Sequence, residues 1–506
     1  MSGKRDGTRW YRGCSSLGMR KRICLLFVSF LAVTAACATN PVTGKRQMSL
    51  LSEAEELAIG QQQDAEIRRE MGVYNDPALQ AYVSEIGQDL ARASHRPNLP
   101  WTFTIVDSPA INAFALPGGY IYLTRGILAY LDDESELAGV LGHEIGHVTA
   151  RHAAQAYTRQ AQANLGLTIL SIFVPTTRPF TDLGATGLSV LFLKHGRDAE
   201  LEADRLGVEY GAGAGWDPTG VPRFLSTLAR VDALSEDGVP NWLSTHPDPG
   251  SRVGQAEPVV GKFASAAATK RNRDEYLNRV SGLVYGDNPE DGIVRGHVFL
   301  HPALRFGLEF PEGWDVINSP EAVMAREPGT EHYMVLQEVE QPRLARQGSG
   351  GQGVSVGEIA VAAMRSAGYS VVEGRLEQIN GQAAHIGLYR GTAKGTGKVL
   401  MRAAHIAVGR QMYVLAGFAP EAEFTIVDRE VLPSIQSFRG LSAAEASRVQ
   451  PNRVDSYVVK PGDSWQSIAV RQGKNIVNAA TLAIMNDREV NVQPTAGDRI
   501  KIVIEG

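Results

Sequence analysis

The stretch VLGHEIGHV, residues 140–148, combines the pattern His-Glu-x-x-His with the apolar periodicity of a helix. On a helix, His143 and His147 lie one turn apart and project from the same face, so their imidazoles can bind one zinc ion. Glu144 follows the first histidine, where its carboxylate can accept a proton from a water molecule activated by the metal. The alternative is an ordinary helix with two surface histidines and a solvated glutamate. Because a chance match is expected at roughly the one-in-a-hundred level, the pattern favours a metal centre.

Two glycines, Gly142 and Gly146, lie inside the same helical stretch. Each glycine weakens a helix by about 1 kcal/mol relative to alanine. Helix stability therefore does not explain them. Their presence indicates that another part of the chain approaches this helix closely.

The length and the charge of the chain limit its class. It has 506 residues and a formal net charge of −5, and no long basic face stands out. Because this length exceeds what one hydrophobic core supports, we expect two to four domains. The absence of a basic face argues against nucleic acid as a partner.

The N-terminus has the features of an export signal. Residues 19–22 are basic and residues 23–36 are apolar without a charge. The apolar run is too short for a stable membrane span and is typical of a signal peptide. We therefore predict a signal peptide over residues 1–36, with Met19 as an alternative start, and a polar tether over residues 37–50.

Small residues precede Cys37, as in the lipidation sequence of bacterial lipoproteins. Cleavage before Cys37 would remove Cys14 and Cys24 and leave a single cysteine, which can form no intrachain disulfide. We predict that Cys37 carries the lipid anchor, although Thr34 departs from the usual aliphatic residue. Because Ala38 follows in place of an aspartate, the outer membrane is favoured. The alternative is an ordinary signal peptide that leaves a free thiol.

A hairpin is predicted before the metal-binding stretch, because Pro117-Gly118-Gly119 separates two short strands. Asn112, Ala113 and Phe114 begin the first of these strands. They are candidates for substrate binding, since an edge strand can pair with an extended peptide. The alternative is a hairpin that only covers the core.

Two apolar runs, residues 165–174 and 183–193, follow the metal-binding stretch. Each is too short to span a membrane. They predict a helical hairpin that packs in the core, in preference to one that covers the site or contacts a membrane. His152 is interpreted as structural, because its spacing from His147 does not put both on one helix face.

A catalytic zinc needs a third protein ligand, and residues 197–204 offer carboxylates for it. On a helix, Glu200 and Asp204 share a face whereas Glu202 points elsewhere. One of the two could bind the metal while the other accepts a hydrogen bond from a ligand imidazole. The alternative is an acidic surface helix.

These residues together resemble a known family. His143-Glu144-x-x-His147 followed by Glu200-x-x-x-Asp204 is similar to the zinc metalloproteases related to HtpX and the CAAX prenyl protease. The resemblance covers roughly residues 40 to 285, including the hairpin at 112–119 and Ser-Thr-His-Pro at 244–247. The exported, lipidated form looks most like periplasmic assembly proteases of the BepA kind.

The resemblance implies roles for single residues. Glu200 would be the third ligand of one zinc ion per chain, and Asp204 would contact a ligand histidine. Glu144 would act as general base. His246 would lie near the metal, where it could occlude the zinc or stabilise the oxyanion, and Arg252 would support its loop.

The fold class implied is multidomain. A mainly α, zincin-like metalloprotease domain with a small β-sheet is expected over residues 51–290. Alternating short strands and two helices predict an α+β domain with an antiparallel sheet over 293–440. A linker at 441–454 then leads to residues 455–506, which resemble a LysM module with βααβ order. The alternative for this module is a small cap that only packs on its neighbour.

The expected function is a zinc endopeptidase that cleaves misfolded or misassembled envelope proteins. The expected location is the periplasm, with a lipid anchor in the outer membrane. Peptidoglycan and the assembly machinery are further candidate partners. Two alternatives are a non-catalytic assembly or chaperone factor with a structural zinc, and a hydrolase of peptidoglycan peptides.

Overall fold

The computed structural model describes most of the chain, and the described residues form several packed domains. The predicted signal peptide at 1–36 and the apolar runs at 165–174 and 183–193 lie outside the described residues. The described ranges are 37–163, 196–234, 242, 246–263, 268–319, 322–339, 355–393 and 396–506.

Residues 37–50 differ from the predicted tether, because they contain a two-stranded hairpin. Strand β1 (Cys37–Thr39) pairs antiparallel with β2 (Arg46–Met48). Asn40 closes the turn by accepting hydrogen bonds from two backbone N–H groups, and its Nδ2 donates to Ala150 O at 3.3 Å. This contact attaches the segment to the end of the metal-binding helix.

The helices that precede the site begin at residues that cap their N-termini. Helix α1 (Glu53–Glu70) starts with the capping box of Ser52, and α2 (Pro77–Arg92) starts at the cap Asp76. A three-stranded sheet follows, in the order β3-β5-β4, and the predicted hairpin is confirmed as the antiparallel pair β4–β5. Its strands are β3 (Thr102–Val106), β4 (Ala113–Leu116) and β5 (Tyr120–Thr124).

The metal-binding stretch lies in a helix that is buried on every side. All residues of α4 (Glu134–Thr149) are buried. Close packing on its glycines explains this: a Cβ atom at Gly142 would lie 3.0 Å from Gly207 Cα, and one at Gly146 would lie 3.1 Å from Ala203 Cα. The close approach predicted from these glycines is therefore confirmed. The other helices here are α3 (Arg125–Tyr130), α5 (His152–Ala163), α6 (Arg197–Gly213), α7 (Gly220–Leu234), α8 (Pro249–Phe263) and α9 (Arg273–Val280).

The second domain is built on an antiparallel sheet, as predicted. Seven strands pair in the order β10-β11-β12-β16-β15-β14-β13, and a second sheet has the order β17-β9-β8-β7. Helix α10 (Val356–Ser366) contacts β13, β14 and β15, and α11 (Phe424–Ser437) contacts β9, β15 and β16. The strands are β7 (Ile293–Arg295), β8 (Val298–His301), β9 (Phe306–Glu309), β10 (Asp315–Asn318), β11 (Ala322–Arg326), β12 (Tyr333–Glu338), β13 (Ser370–Ile379), β14 (Gln382–Ala393), β15 (Gly397–Val408), β16 (Gln411–Pro420) and β17 (Arg439–Gly440).

The C-terminal unit has the βααβ order predicted for it. Its elements are β18 (Asn452–Val458), α13 (Trp465–Gly473), α14 (Ala479–Met485) and β19 (Arg499–Ile504). The predicted linker at 441–454 is not a free connection, because it contains the capped helix α12 (Ala443–Arg448) and the start of β18.

The C-terminal unit and the metal-binding domain share one hydrophobic core. Strand β18 pairs with β6 (Val284–Tyr285), and buried residues of both regions form a single cluster. The predicted boundary at 455 therefore does not separate two cores. Because Tyr285 and Asn452 are paired, the α+β domain is an insertion between adjacent strands. Among the helices of the described part of the chain, none combines the length and apolar character that crossing a membrane requires.

Candidate metal centre

Three elements bring four donor side chains to one point. Helix α4 carries His143 and His147, whose Nε2 atoms are 3.0 Å apart. Helix α6 brings Glu200, with Oε2 3.6 Å from His143 Nε2 and Oε1 3.5 Å from His147 Nε2. His246 lies just before α8, with Nδ1 3.3 Å from His143 Nε2 and 3.1 Å from Glu200 Oε2.

The donor geometry fits a zinc ion. The ligand atoms of all four residues lie within 4.8 Å of one another, and all four residues are buried. A tetrahedral zinc with bonds of about 2.0–2.1 Å separates its ligand atoms by about 3.4 Å. The separations among the ligand atoms of His143, His147 and Glu200 are 3.0 to 3.6 Å, which bracket that value. Imidazole nitrogens with one carboxylate are also a donor set that zinc prefers.

A buried ion network surrounds the cluster. Asp204 Oδ1 lies 2.9 Å from His143 Nδ1, as expected of the residue that orients a ligand histidine. Arg252 donates from Nε and Nη2 to the Asp204 carboxylate at 2.8 and 2.6 Å, and its Nη1 lies 2.8 Å from Glu200 Oε2. The residue predicted to support the loop of His246 thus contacts the carboxylates of both Glu200 and Asp204.

The surrounding charges favour the ionised form of Glu200 and of Asp204. Burial alone would raise the pKa of the Glu200 carboxyl, but His246, His143 and Arg252 outweigh it and hold that pKa below its ordinary value. Burial likewise opposes ionisation of Asp204, and its hydrogen bonds from Arg252 hold its pKa low. An ionised carboxylate is the form that binds a metal.

Glu144 has the features of a proton acceptor. It is 1% exposed, and its Oε1 atom has no hydrogen-bond partner among the residues that the structure describes. His246 Nε2 lies 3.6 Å from this oxygen. Burial raises the pKa of the Glu144 carboxyl, which makes it a stronger base than a solvated glutamate. A water molecule beside the cluster would find this oxygen available.

The first strand of the hairpin lies beside the metal helix. Strand β4 is an edge strand of its sheet, and it contacts α4. Asn112, Ala113 and Phe114 are buried, and the Phe114 ring stacks on Tyr122 at 4.8 Å between centroids. Pairing with a peptide would therefore use the backbone of β4 and not these side chains.

Three residues near the cluster were not predicted to act there. The Trp242 ring stacks on the His246 ring at 4.2 Å between centroids, and Trp242 O accepts a hydrogen bond from His246 N. The spacing Trp-x-x-x-His was the sequence signal for this contact. His152 and Glu202, interpreted as structural and as pointing elsewhere, lie behind His147.

Comparison with known proteins agrees with this geometry. Residues 77–259 match the model of Peptidase family M48. The beta-barrel assembly-enhancing protease of Yersinia pestis is 34% identical over 58% of this chain and 65% of the relative. That of Escherichia coli K12 is 29% identical over 59% of this chain and 65% of the relative. The chain thus spans less than two thirds of these relatives.

A second group of relatives shares a smaller part of the chain. The mitochondrial metalloendopeptidase OMA1 of Arabidopsis thaliana is 34% identical over 36% of this chain and 36% of that protein. Among solved structures, cyanobacterial PsbP from Synechocystis sp. PCC 6803 is 14% identical over 31% of this chain and 98% of that chain. Its TM-score of 0.23 is too low to relate the two folds.

Proposed function

We propose that this protein is a zinc-dependent endopeptidase, with one zinc ion per chain held by His143, His147 and Glu200. The observation that supports this most is the buried donor cluster with the carboxylate of Glu144 beside it. The match of residues 77–259 to Peptidase family M48 supports the same conclusion. A zinc ion bound there would polarise the scissile carbonyl and acidify a water molecule.

The side chains of this site would divide the proton transfers and the orientation between them. Glu144 would accept a proton from the attacking water and deliver it to the leaving amine. Asp204 would hold His143 in the tautomer that leaves Nε2 free, and Arg252 would offset part of the negative charge of Glu200 and Asp204. An extended peptide would pair with the backbone edge of β4 near Ala113, because the backbone groups of Asn112 are already bonded to Thr124.

His246 would act as a removable fourth ligand. Catalytic zinc sites keep one coordination position open, whereas four protein ligands close a site. Because His246 Nδ1 lies 3.1 Å from Glu200 Oε2 and 3.3 Å from His143 Nε2, it is placed to fill the open position. We propose that His246 occludes the zinc at rest and withdraws when substrate binds.

The substrates we propose are misfolded or misassembled proteins of the bacterial envelope, reached from the periplasm. Two of the relatives are named for assembly of β-barrels, which supports this class. Cys37 would carry the lipid anchor in the outer membrane, and an assembly machinery would be the partner. The C-terminal unit has the strand and helix order of a LysM module, so binding to peptidoglycan is a second candidate.

The variant Glu144→Gln tests the hydrolytic function. The substituted amide has the same shape and cannot accept the proton, so casein cleavage should fall about 100-fold or more while zinc content stays the same. Glu209→Gln, on the exposed side of α6, is the matched control and should cleave like the wild type. Cleavage by Glu144→Gln at the wild-type rate would refute the role. Incubation with purified sacculi would separate protein from peptidoglycan substrates.

A further inference from the structure

A chain of polar contacts extends from the second metal-binding histidine to the surface. His147 Nδ1 lies 2.9 Å from His152 Nδ1, and His152 Nε2 lies 3.2 Å from Glu202 Oε2. His147 is 4% exposed and His152 is 2% exposed, whereas the Glu202 side chain is 27% exposed. These contacts therefore connect the buried side chain of His147 to a carboxylate that is partly exposed to solvent.

The chemistry of imidazole determines which atom donates the proton in each of these hydrogen bonds. His147 turns Nε2 toward the donor cluster, so a lone pair must lie there if the residue binds a metal. Its proton then sits on Nδ1 and is donated to His152 Nδ1, which must carry a lone pair. His152 consequently holds its own proton on Nε2 and donates it to Glu202. One tautomer of each ring satisfies all of these contacts.

We infer that His152 and Glu202 are positioning residues, which fix the tautomer and the ring orientation of His147 for metal binding. The inference rests on the proposed zinc site. It makes the two ligand histidines unequal: His143 is oriented by the carboxylate of Asp204 at 2.9 Å, whereas His147 is oriented by a neutral imidazole backed by a carboxylate.

The local fold explains how a residue outside the helix face reaches His147. Helix α4 ends at Thr149, and Arg151 has a left-handed backbone with φ of 60°. The chain therefore reverses before α5 begins at His152 and returns the His152 ring to His147. Arg151 is held in place by Glu56, because its Nε donates to Glu56 Oε1 at 2.9 Å. The contact is built into the fold and does not depend on an exposed loop.

Glu202 completes the arrangement from a third element. It lies on α6 between Glu200 and Asp204, on the side of the helix that faces α5. Its Oε2 atom lies 3.2 Å from His152 Nε2, so this carboxylate can accept the proton that the ring donates. Helix α6 thus supplies three carboxylates: Glu200 to the donor cluster, Asp204 to His143 and Glu202 to His152.

Zinc affinity is the measurement that tests this inference. We compare the full chain with His152→Ala and Glu202→Ala by competition with a chromophoric chelator. Loss of an outer partner of a ligand histidine weakens metal binding about 10- to 100-fold, and we expect this for His152→Ala and a smaller loss for Glu202→Ala. Glu209→Ala is the matched control, since Glu209 lies on α6 and pairs only with the exposed Arg205 among the described residues.

Two further readouts separate positioning from general loss of structure. Added imidazole should restore zinc affinity to His152→Ala, because it can occupy the vacated space and accept the His147 proton. The visible spectrum of bound Co²⁺ should change in His152→Ala and return with imidazole. If His152→Ala does not fold, Glu202→Ala, whose side chain is partly exposed, still gives the result. Affinities within twofold of the wild type for both variants would overturn the inference.

The outcomes also distinguish this inference from the proposed function. If the wild type binds zinc but cleaves no protein, the endopeptidase proposal fails while the affinity comparison still decides the role of His152. If the wild type cleaves casein and His152→Ala binds zinc equally well, the positioning role alone fails.

Discussion

Replacing Gly142 by alanine would perturb the crossing of α4 and α6 that brings Glu200 to the histidines. A Cβ atom at Gly142 would lie 3.0 Å from Gly207 Cα and 3.1 Å from Gly207 O. Both neighbours are backbone atoms, so no side-chain rotation relieves the contact. Because carbon atoms pack at about 3.5–4.0 Å, the helices must separate locally by about 0.5 Å.

The expected magnitudes follow from this displacement. Overpacking a core costs about 1–3 kcal/mol, and the better helix propensity of alanine returns about 1 kcal/mol. We therefore expect the free energy of unfolding to fall by up to about 2 kcal/mol. Metal–ligand distances tolerate about 0.2 Å. A 0.5 Å shift of Glu200 away from His143 exceeds that tolerance, so zinc affinity should fall about tenfold or more.

A second glycine provides the control. Gly211 lies on α6, as Gly207 does, but a Cβ atom at Gly211 would meet nothing within 4 Å. Gly211→Ala should therefore stabilise the fold by up to about 1 kcal/mol and leave zinc affinity unchanged. Urea unfolding of the metal-free chains and chelator competition measure the two quantities. Wild-type zinc affinity in Gly142→Ala, or equal zinc loss in Gly211→Ala, would refute the reasoning.

Three further perturbations test other parts of the molecule. His246→Ala should keep zinc and raise casein cleavage if His246 occludes the site, whereas a fall of about 100-fold would indicate that it stabilises the oxyanion. Trp465→Ala should lower the free energy of unfolding by about 3–5 kcal/mol. Because the core is shared, amide hydrogen exchange should become faster in α4 as well. Faster exchange confined to residues 452–506 would contradict a shared core. Burial opposes protonation of His332, but its hydrogen bonds to Glu327 and Glu423 outweigh burial and raise its pKa in the folded state. Protonated His332 therefore stabilises the fold fully below about pH 6.5, the pKa of an unfolded histidine. This stabilisation is lost as the pH rises through the raised pKa of the folded state. The difference in urea midpoint between wild type and His332→Gln should shrink between pH 6 and pH 9, and a constant difference would exclude this linkage.

Local signals in the sequence were sufficient for the elements around the site. Ser52 and Asp76 are capping residues at the starts of α1 and α2, and the glycines of α4 indicate the close approach of another part of the chain, which is α6. The strands of the α+β domain were found where apolar residues alternate. Strand β13 lacks this signal, because it is an edge strand whose side chains are mostly exposed and it has no buried apolar face.

Two features of the structure, the contact of His152 with His147 and the pairing of β6 with β18, depend on contacts that no local sequence pattern indicates. His152 was set aside because its spacing from His147 is wrong for one continuous helix, but the left-handed backbone of Arg151 ends that helix. Likewise, no local pattern indicates that residues 284–285 pair with residues 452–453 across an inserted domain. Pairings of this kind are determined by tertiary packing, which periodicity and turn chemistry do not encode.

The shared core gives the C-terminal unit a structural role at the metal helix. Arg223 of α7 contacts Asp133 and Glu136 at the start of α4 at 2.8 and 3.1 Å, and it lies 3.5 Å from Asp487 of the C-terminal unit. Lys501 of β19 is buried and donates to the backbone oxygen of Leu131. The start of α4 is therefore held in part by residues of the C-terminal unit, and the packing of the metal helix includes contacts with residues 452–506. Because the α+β domain is inserted between β6 and β18, these contacts join parts of the chain that are far apart in sequence.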